Sequence, residues 1–345
     1  MNKQNRLERI LTLIEESRPD QMVRTRELAQ ALNVSEITIR RDLNQLANEG
    51  AIVRTHGGVT SAMQNVGQTK PIGILLVLNY GKFSNPFFNK LLEGVDLELA
   101  RLGYHAAFVK TDAEINSASE IELLLQQHPI SALLVIGQLE VEKLTIWRAK
   151  IINIINVLYQ VDSEVDAILI DSENGMYEMV KHLAQNGHRR IGFIMNKTGQ
   201  RRLAGYLKGL EASQLEYDPQ LIVALDSEGV ARPAETGKEG AQHLLSLKKP
   251  PTAIMCLSDV IALGTMQWLQ MQGISIPDDI AVTGFDDIED AGLAYPPLTT
   301  VHVYKKLVGR LAVEQLHRRI QHPDDPPIRT YTPTSLVIRL SSGAS

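Results

Sequence analysis

A chain of 345 residues is long enough for two or three domains, each with its own core. With 44% hydrophobic and 22% charged residues and a formal charge of −5, it is of ordinary globular composition and carries no global cationic excess that would draw it to nucleic acid. A nucleic-acid partner would have to be recognised by local charge, and residues 1–60 hold nine Lys/Arg against eight Asp/Glu, a net of +1.

The chain opens on polar Asn2-Lys3-Gln4-Asn5 without the apolar stretch of a signal peptide, and no later apolar run approaches ~18 residues. A cytoplasmic protein with no membrane partner is expected. Leu7, Ile10, Leu11 and Ile14 predict an amphipathic helix over 5–17, ending before Pro19. Thr25 is placed to cap a second helix, Arg26 to Leu32, and Asn33-Val34 is a tight turn into Ser35. Ser35 is a good N-cap, and Glu36 suits the positive end of the helix dipole.

Ile39, Leu43 and Leu46 then form one apolar stripe. The opposite face carries Ile37, Arg41 and Asn44, with Thr38 and Arg40 on its flanks. Arg pairs bidentately with guanine or phosphate, and Asn with adenine. Nine such residues alone are as readily the solvated side of an ordinary helix. The preceding turn makes them the second helix of a helix-turn-helix, the one that enters the major groove. After Gly50, a plausible helix end, Ala51 to Val59 reads as short β segments around a glycine turn, a wing that sets Arg54 and His56 against phosphates. The candidate DNA-binding set is Thr25, Ser35, Glu36, Ile37, Thr38, Arg40, Arg41, Asn44, Arg54 and His56.

Ser35-x-x-Thr38-Ile39-Arg40-Arg41-Asp42-Leu43, followed by Gly50, Arg54 and His56-Gly57-Gly58, closely resembles the winged helix-turn-helix of DeoR-type bacterial repressors across residues 3–60. The expected domains are a DNA-binding head over 1–59, a polar linker over 60–70 and an effector-binding and dimerisation domain over 71–342.

From Pro71 apolar runs alternate with helical patterns. The runs are Ile72 to Leu78, Ala106 to Val109, Leu133 to Ile136, Ile151 to Ile155, Ala167 to Ile170, Ile191 to Ile194, Leu221 to Ala224, Ala253 to Leu257 and Ile280 to Val282. This rhythm predicts an α/β fold of two doubly wound parallel-sheet lobes. We expect lobe 1 over about 71–160 and 288–321, and lobe 2 over about 161–287 and 322–342. The single cysteine, Cys256, lies inside one of the runs, so it reads as a core thiol and excludes a disulfide framework.

Ligands of such sheets bind beyond the carboxyl ends of strands, in a cleft. After the first strand come Asn79, Phe83, Asn85, Phe87 and Phe88, where rings suit a flat or sugar-like face and amides fix hydroxyls; equally, the rings would plug the core. Arg202, Ser258 and Asp286 follow later strands.

Gly187-His188-Arg189-Arg190-Ile191-Gly192-Phe193-Ile194, Arg202-Leu203-Ala204-Gly205-Tyr206, Ser258-Asp259-Val260-Ile261-Ala262-Leu263-Gly264, Gly284-Phe285-Asp286-Asp287 and Pro296-Pro297-Leu298-Thr299-Thr300 resemble the effector domain of LacI/GalR-type regulators over about 71–340. That domain is similar in turn to periplasmic sugar-binding proteins, whose Asn-Pro-Phe-Phe loop matches Asn85-Pro86-Phe87-Phe88. The resemblance implies effector contacts from Asn85, Phe87 and Phe88 on one lobe, and from Arg202, Ser258 and Asp286 on the other. Three departures stand out. Asn156-Val157 fits where many sugar-binding relatives carry Asp-Arg after the fourth strand. Ser227 to Ala234 lacks an aromatic before the helix that starts near Glu235. The linker shows no hinge helix.

The expected function is a ligand-responsive transcriptional repressor of a carbohydrate-utilisation operon, binding double-stranded operator DNA as a homodimer or higher oligomer. A nucleoside or purine effector is the alternative. An α/β enzyme is disfavoured, because the chain holds no GxxxxGK[ST], GxGxxG, HExxH or CxxC, and Asp286-Asp287 are adjacent residues expected to point apart. Neither cofactor nor metal is expected.

Overall fold

The computed structural model describes residues 3–15, 23–48, 52–55, 58–61, 70–77, 85–115, 117–196, 199–225 and 233–343. Contacts divide the chain into two compact units, Met1–Ile72 with Leu99–Ala107, and Gly73–Glu98 with Phe108–Ser345.

In the first unit, α1 (Lys3–Glu15) precedes β1 (Val23–Arg24), α2 (Thr25–Leu32), α3 (Glu36–Asn48), β2 (Ile52–Thr55) and β3 (Gly58–Ser61). The turn between α2 and α3 rests on Asn33, whose φ of 51° is the left-handed conformation Asn tolerates, and Val34 N donates to Ala29 O at 3.1 Å. Ser35 caps α3: its Oγ accepts from Thr38 N at 3.3 Å and lies 2.9 Å from the Thr38 hydroxyl. Ile39, Leu43 and Leu46 are buried as their spacing requires, in one core with Ile10, Ile14, Leu28, Ile52 and Val59. β2 and β3 form an antiparallel hairpin, with β1 paired to the other edge of β3.

Asp42 is buried and takes a two-pronged bond from Arg6 of α1, 2.6 Å to Nε and 3.2 Å to Nη2. Of the run Arg40-Arg41-Asp42, the acid therefore anchors the helix while both arginines stay exposed. One expectation shifts. Thr25 is the first helical residue of α2 rather than its cap; the cap is Arg24, whose N–H is taken by the Glu27 carboxylate at 3.0 Å. A carboxylate one turn on thus replaces the expected hydroxyl.

The remaining elements are β4 (Lys70–Leu76), α4 (Pro86–Arg101), β5 (Tyr104–Thr111), α5 (Ala118–Gln127), β6 (Ala132–Ile136), α6 (Val141–Arg148), β7 (Ile154–Leu158), β8 (Asp166–Ile170), α7 (Ser172–Gln185), β9 (Ile191–Met195), α8 (Gln200–Ala212), β10 (Ile222–Ala224), α9 (Pro233–Leu245), β11 (Ala253–Cys256), α10 (Asp259–Met271), β12 (Ala281–Thr283), α11 (Glu289–Leu293), β13 (Thr300–Val303), α12 (Lys305–Gln321), β14 (Arg329–Thr332) and β15 (Thr334–Val337). They build the two lobes. One has a six-stranded sheet in the order β14-β8-β7-β6-β4-β5, with α12 packed on β6, β7 and β8. The other has the four-stranded sheet β10-β9-β11-β12, with α7 against α8 and α9 against α10. The α7–α8 contact requires Gly205, since a Cβ there would lie 2.1 Å from Glu173 O. Cys256 is buried in β11, as a core thiol should be. Among the described residues no helix is long and apolar enough to cross a membrane.

The lobe boundaries differ from those expected. β8 and β14, placed by sequence in lobe 2, belong to the six-stranded sheet of lobe 1, where Arg329 pairs with Ala167 and Thr332 with Ile170. Conversely β13, placed by sequence in lobe 1, pairs with β15, and a bridge from Thr299 to Thr283 joins that ribbon to β12 in lobe 2. Sheet membership is fixed by pairing between distant strands, and each strand's own pattern is silent about it. The chain thus passes between lobes at 170–172, 303–305 and 332–334. Two of these crossings are laced together, Asp171 N donating to Thr332 O at 2.9 Å and Thr334 Oγ1 to Asp171 O at 3.1 Å.

Asp166, at the start of β8, fixes α12 and the loop before β14. Its carboxylate accepts from Arg319 Nε at 2.6 Å, Gln315 Nε2 at 3.0 Å and Ile328 N at 2.7 Å, with both charges almost fully buried. Arg319→Ala leaves that buried carboxylate without its cation and should cost about 3–5 kcal/mol, read as a lowered denaturant midpoint of the full chain. An unchanged midpoint would show that the pair is dispensable.

Candidate functional site

On the described part of α3 the exposed side chains are Glu36, Ile37, Arg40, Arg41 and Asn44, one continuous face opposite Ile39, Leu43 and Leu46. Ser35 and Thr38 are engaged with each other at the cap. Glu36 and Arg40 approach to 4.0 Å, a solvent-exposed pair that leaves the guanidinium available. Thr25 is half-buried at the start of α2. Arg54 stands on β2 opposite Val59, while its side chain and all of His56 lie outside the described residues.

In the second unit a cavity of about 530 Å³ opens between the lobes. Asn85, Phe87, Phe88, Arg202, Ser258 and Asp286 all line it; Asn79 and Phe83 lie outside the described residues. Asn85 caps α4, its Oδ1 accepting from Phe87 N at 2.9 Å, so that the helix starts at Pro86. Phe87 is buried and meets the half-buried Phe88 edge to face, ring centres 5.4 Å apart. Phe87 therefore packs in the core, and both rings line the cavity. Ser258 caps α10, accepting from Ile261 N at 3.5 Å.

Arg202 is held on three sides: it donates to Leu257 O and to Asp286 Oδ1 (3.2 Å), and its guanidinium lies 3.8 Å over the Phe285 ring. Asp286 is buried at φ 114°, a backbone conformation that costs a non-glycine residue energy and persists only where neighbours enforce it. The enforcing contacts are Asp286 N to Val301 O at 2.9 Å and Lys305 Nζ donating to Asp286 O. Burial pushes the Asp286 carboxyl above its usual range, and the nearby charges of Arg202 and Lys305 oppose that shift. Asp287 turns elsewhere, to His302 Nδ1 and Arg339 Nη2, each at 2.7 Å. The two adjacent carboxylates do point apart.

Several lining residues escaped the sequence reading: Gln138 after β6, Tyr159 and Gln160 after β7, Ser172 after β8 and Asn196 after β9. All obey the strand-end rule and could have been found by applying it to every strand. Asn156 and Val157 are corrected: they sit inside β7, both buried, and Leu158, Tyr159 and Gln160 are what follow into the cavity. The apolar run Ile151 to Ile155 begins before the strand and misplaced its end. The helix after Ser227 to Ala234 starts at Pro233, and residues 226–232 are outside the described set. Lys305, which holds the Asp286 carbonyl, and Arg339, which pairs with Asp287, had no sequence signal, because they come from elements that are distant in the chain. No group of three or more His, Cys, Asp or Glu is placed to hold a metal among the described residues.

Comparison with known proteins fits this geometry. Residues 6–65 match the DeoR-like helix-turn-helix domain, and residues 180–342 the periplasmic binding protein-like domain. The HTH-type transcriptional repressor PurR of Aliivibrio salmonicida is 30% identical over 260 residues, 73% of this chain and 75% of its own length. The ribose operon repressor of Haemophilus influenzae is 32% identical over 267 residues, 75% of this chain and 77% of its own. Among solved structures, the transcriptional regulator CelR in complex with cellobiose aligns with a TM-score of 0.69 at 25% identity, covering 91% of this chain and 94% of that one. A LacI family transcriptional regulator from Enterococcus faecium with bound ribose shares the fold, with a TM-score of 0.67 at 22% identity, covering 79% of this chain and 98% of that one. The chain belongs to the LacI-type transcriptional regulators, with a DeoR-like head. It is a ligand-responsive, DNA-binding repressor and not an enzyme.

In this regulator a second acid lies behind Asp286. Asp259 is fully buried, accepts from the Thr300 hydroxyl and from Ile288 N at 2.9 Å, and is covered by Gly284, where a Cβ would come within 2.1 Å of its Oδ1. Burial, and then the Asp286 carboxylate, push its pKa up to about 8. The folded value exceeds the unfolded one of about 3.9, so its contribution to stability is complete below pH 4 and is lost as pH rises through 8. Asp259→Asn keeps one of the two acceptor oxygens, a loss that does not depend on pH, and cannot ionise. The stability of this variant relative to wild type should therefore rise from pH 4 to pH 8 in denaturant titrations; a constant difference would contradict the burial of a titrating acid.

Proposed function

We propose that this repressor is a homodimer that reads a palindromic operator with α3 of each head and takes a small sugar between the lobes of each effector domain, lobe closure setting operator affinity. The working layout is a head over 1–59, a linker over 60–70 and an effector domain over 71–342. The observation that carries the sugar reading is the Arg202–Asp286 pair opening on the same cavity as Phe87 and Phe88. A sugar offers adjacent hydroxyls that accept from a guanidinium and donate to a carboxylate, and an apolar C–H face for the rings. The amides of Asn85, Gln138, Gln160 and Asn196 extend the polar lining. The volume lies within the roughly 300–1,000 Å³ usual for small-molecule sites.

Two of the similar proteins support this reading, since one is named a ribose operon repressor and another was solved with cellobiose, whereas the name PurR specifies no sugar. A nucleoside is the second reading, favoured by the same pair of rings, which would also border a flat base. Dimerisation follows from affinity: one recognition helix buries little surface, and two half-sites on one face raise effective concentration. For the DNA side, the candidate contacts are Ile37, Arg40, Arg41 and Asn44 in the groove, with Thr25, Ser35, Glu36, Thr38, Arg54 and His56 around them.

A thermal-shift screen of sugars, sugar phosphates and nucleosides tests the effector class, because a ligand that binds the folded state raises Tm by mass action; stabilisation by nucleosides alone would reject the sugar. In the Asp286→Ala variant the shift given by the wild-type effector should vanish while operator affinity without effector is retained, and a normal shift would remove Asp286 from the site. Arg41→Ala should weaken operator binding by about 1–3 kcal/mol in a fluorescence-anisotropy titration, and undiminished affinity would remove Arg41 from the interface.

A further inference from the structure

We propose that Ile37 selects a thymine in each operator half-site by packing against its 5-methyl group. The proposal rests on the reading of α3 as the groove-entering helix and adds to it the base that an apolar side chain there can recognise.

Among the head residues whose side chains are described, Ile37 is the only large hydrophobic that is exposed, at 67%. A lone exposed isoleucine is unremarkable on most surfaces; the position of this one is what distinguishes it. It is the second residue of α3, and in a helix-turn-helix the first turns of the second helix meet the base edges. At about 100° per residue, Arg41 and Asn44 lie within about 40° of it around the helix, and both are exposed. The other residues of this stretch are polar or lie off the centre of the face. Ser35 and Thr38 share the cap, Glu36 and Arg40 approach each other on the flank, and Asp42 is buried on Arg6.

The head has no structural use for this side chain, because its core is completed by Ile39, Leu43 and Leu46 on the opposite side. An aliphatic group between an arginine and an asparagine cannot hydrogen-bond to a base. In the major groove the methyl of thymine is the apolar feature by which a base pair is distinguished, whereas guanine, adenine and cytosine present donors and acceptors that an isoleucine would leave unpaired. Ile37 thereby both attracts thymine and disfavours the other bases, while Arg41 and Asn44 read or anchor the neighbouring positions.

The test uses full-length protein and operator duplexes selected by it from a random pool. Each thymine is replaced in turn by deoxyuridine, which removes only the 5-methyl group, and affinities are measured by anisotropy for wild type, Ile37→Ala and Arg41→Ala. One substitution in a half-site should weaken wild-type binding about fourfold, the weight of one methyl group withdrawn from water. The same substitution should leave Ile37→Ala unaffected, with its Tm unchanged because the side chain lies outside the core. If Ile37→Ala remains as sensitive as wild type to every deoxyuridine, or if the selected half-sites carry no thymine whose methyl matters, the proposal is overturned. In that case a loss of affinity in Arg41→Ala would show that α3 still reads DNA. If neither Ile37→Ala nor Arg41→Ala loses operator affinity, the recognition-helix reading falls together with this proposal.

Discussion

The effector domain is arranged around one strained residue. Asp286 is held at φ 114° with its carboxylate against the Arg202 guanidinium and its carbonyl against the Lys305 ammonium. Arg202 belongs to α8 in lobe 2, and Lys305 is the first residue of α12, which packs on the sheet of lobe 1. The ammonium also reaches the carbonyls of Asp287 at 3.1 Å and Val303 at 3.3 Å, so a buried cation at the start of α12 is tied to the loop after β12 in lobe 2 and to the end of β13, where the chain crosses to lobe 1. A buried charge with so many ties resists being moved alone. Whatever displaces Asp286 must displace its partners on both lobes.

That arrangement explains how a small molecule in the cavity can be felt at a distance. Arg202 and Asp286 face the cavity with charge, and the same two groups are wired to Phe285 and Lys305. A second contact spans the lobes at the rim: Arg201 Nη1 lies 3.2 Å from the Tyr331 hydroxyl, with the guanidinium 4.9 Å over the ring. The crossings at 170–172 and 332–334 are hydrogen-bonded to each other, so a change of angle there has to be shared by neighbouring backbone. A ligand that binds one lobe angle better than another biases that equilibrium and need do nothing more.

What was legible in the sequence was local. The Ser35 cap, the Ile39-Leu43-Leu46 stripe and the Asn33 turn depend on residues within a few positions of one another, and each stands where the spacing put it. The gathering of Asn85, Phe87, Phe88, Arg202, Ser258 and Asp286 on one cavity was reached through the strand-end rule together with resemblance. What was illegible was non-local. β8 and β14 joined the first lobe through a pairing that no single strand announces, Asn156 fell inside a strand whose apolar run began early, and the burial of Asp42 depends on Arg6, which lies 36 residues away in the chain. Thr25 gave up the cap position to Arg24, whose N–H is held by the Glu27 carboxylate one turn on, an alternative that the spacing of a capping hydroxyl does not reveal.

The central claim is that the cavity between the lobes and the operator are coupled sites of one molecule. Coupling of about 1–3 kcal/mol corresponds to a 5- to 150-fold change in affinity, and thermodynamic linkage makes that factor the same in both directions. The direct measurement is calorimetric titration of the identified effector into the full-length protein, with and without saturating operator duplex. The account predicts that operator shifts effector affinity by a factor in that range, equal to the factor by which effector shifts operator affinity. Identical effector affinity in the presence and absence of operator would contradict it.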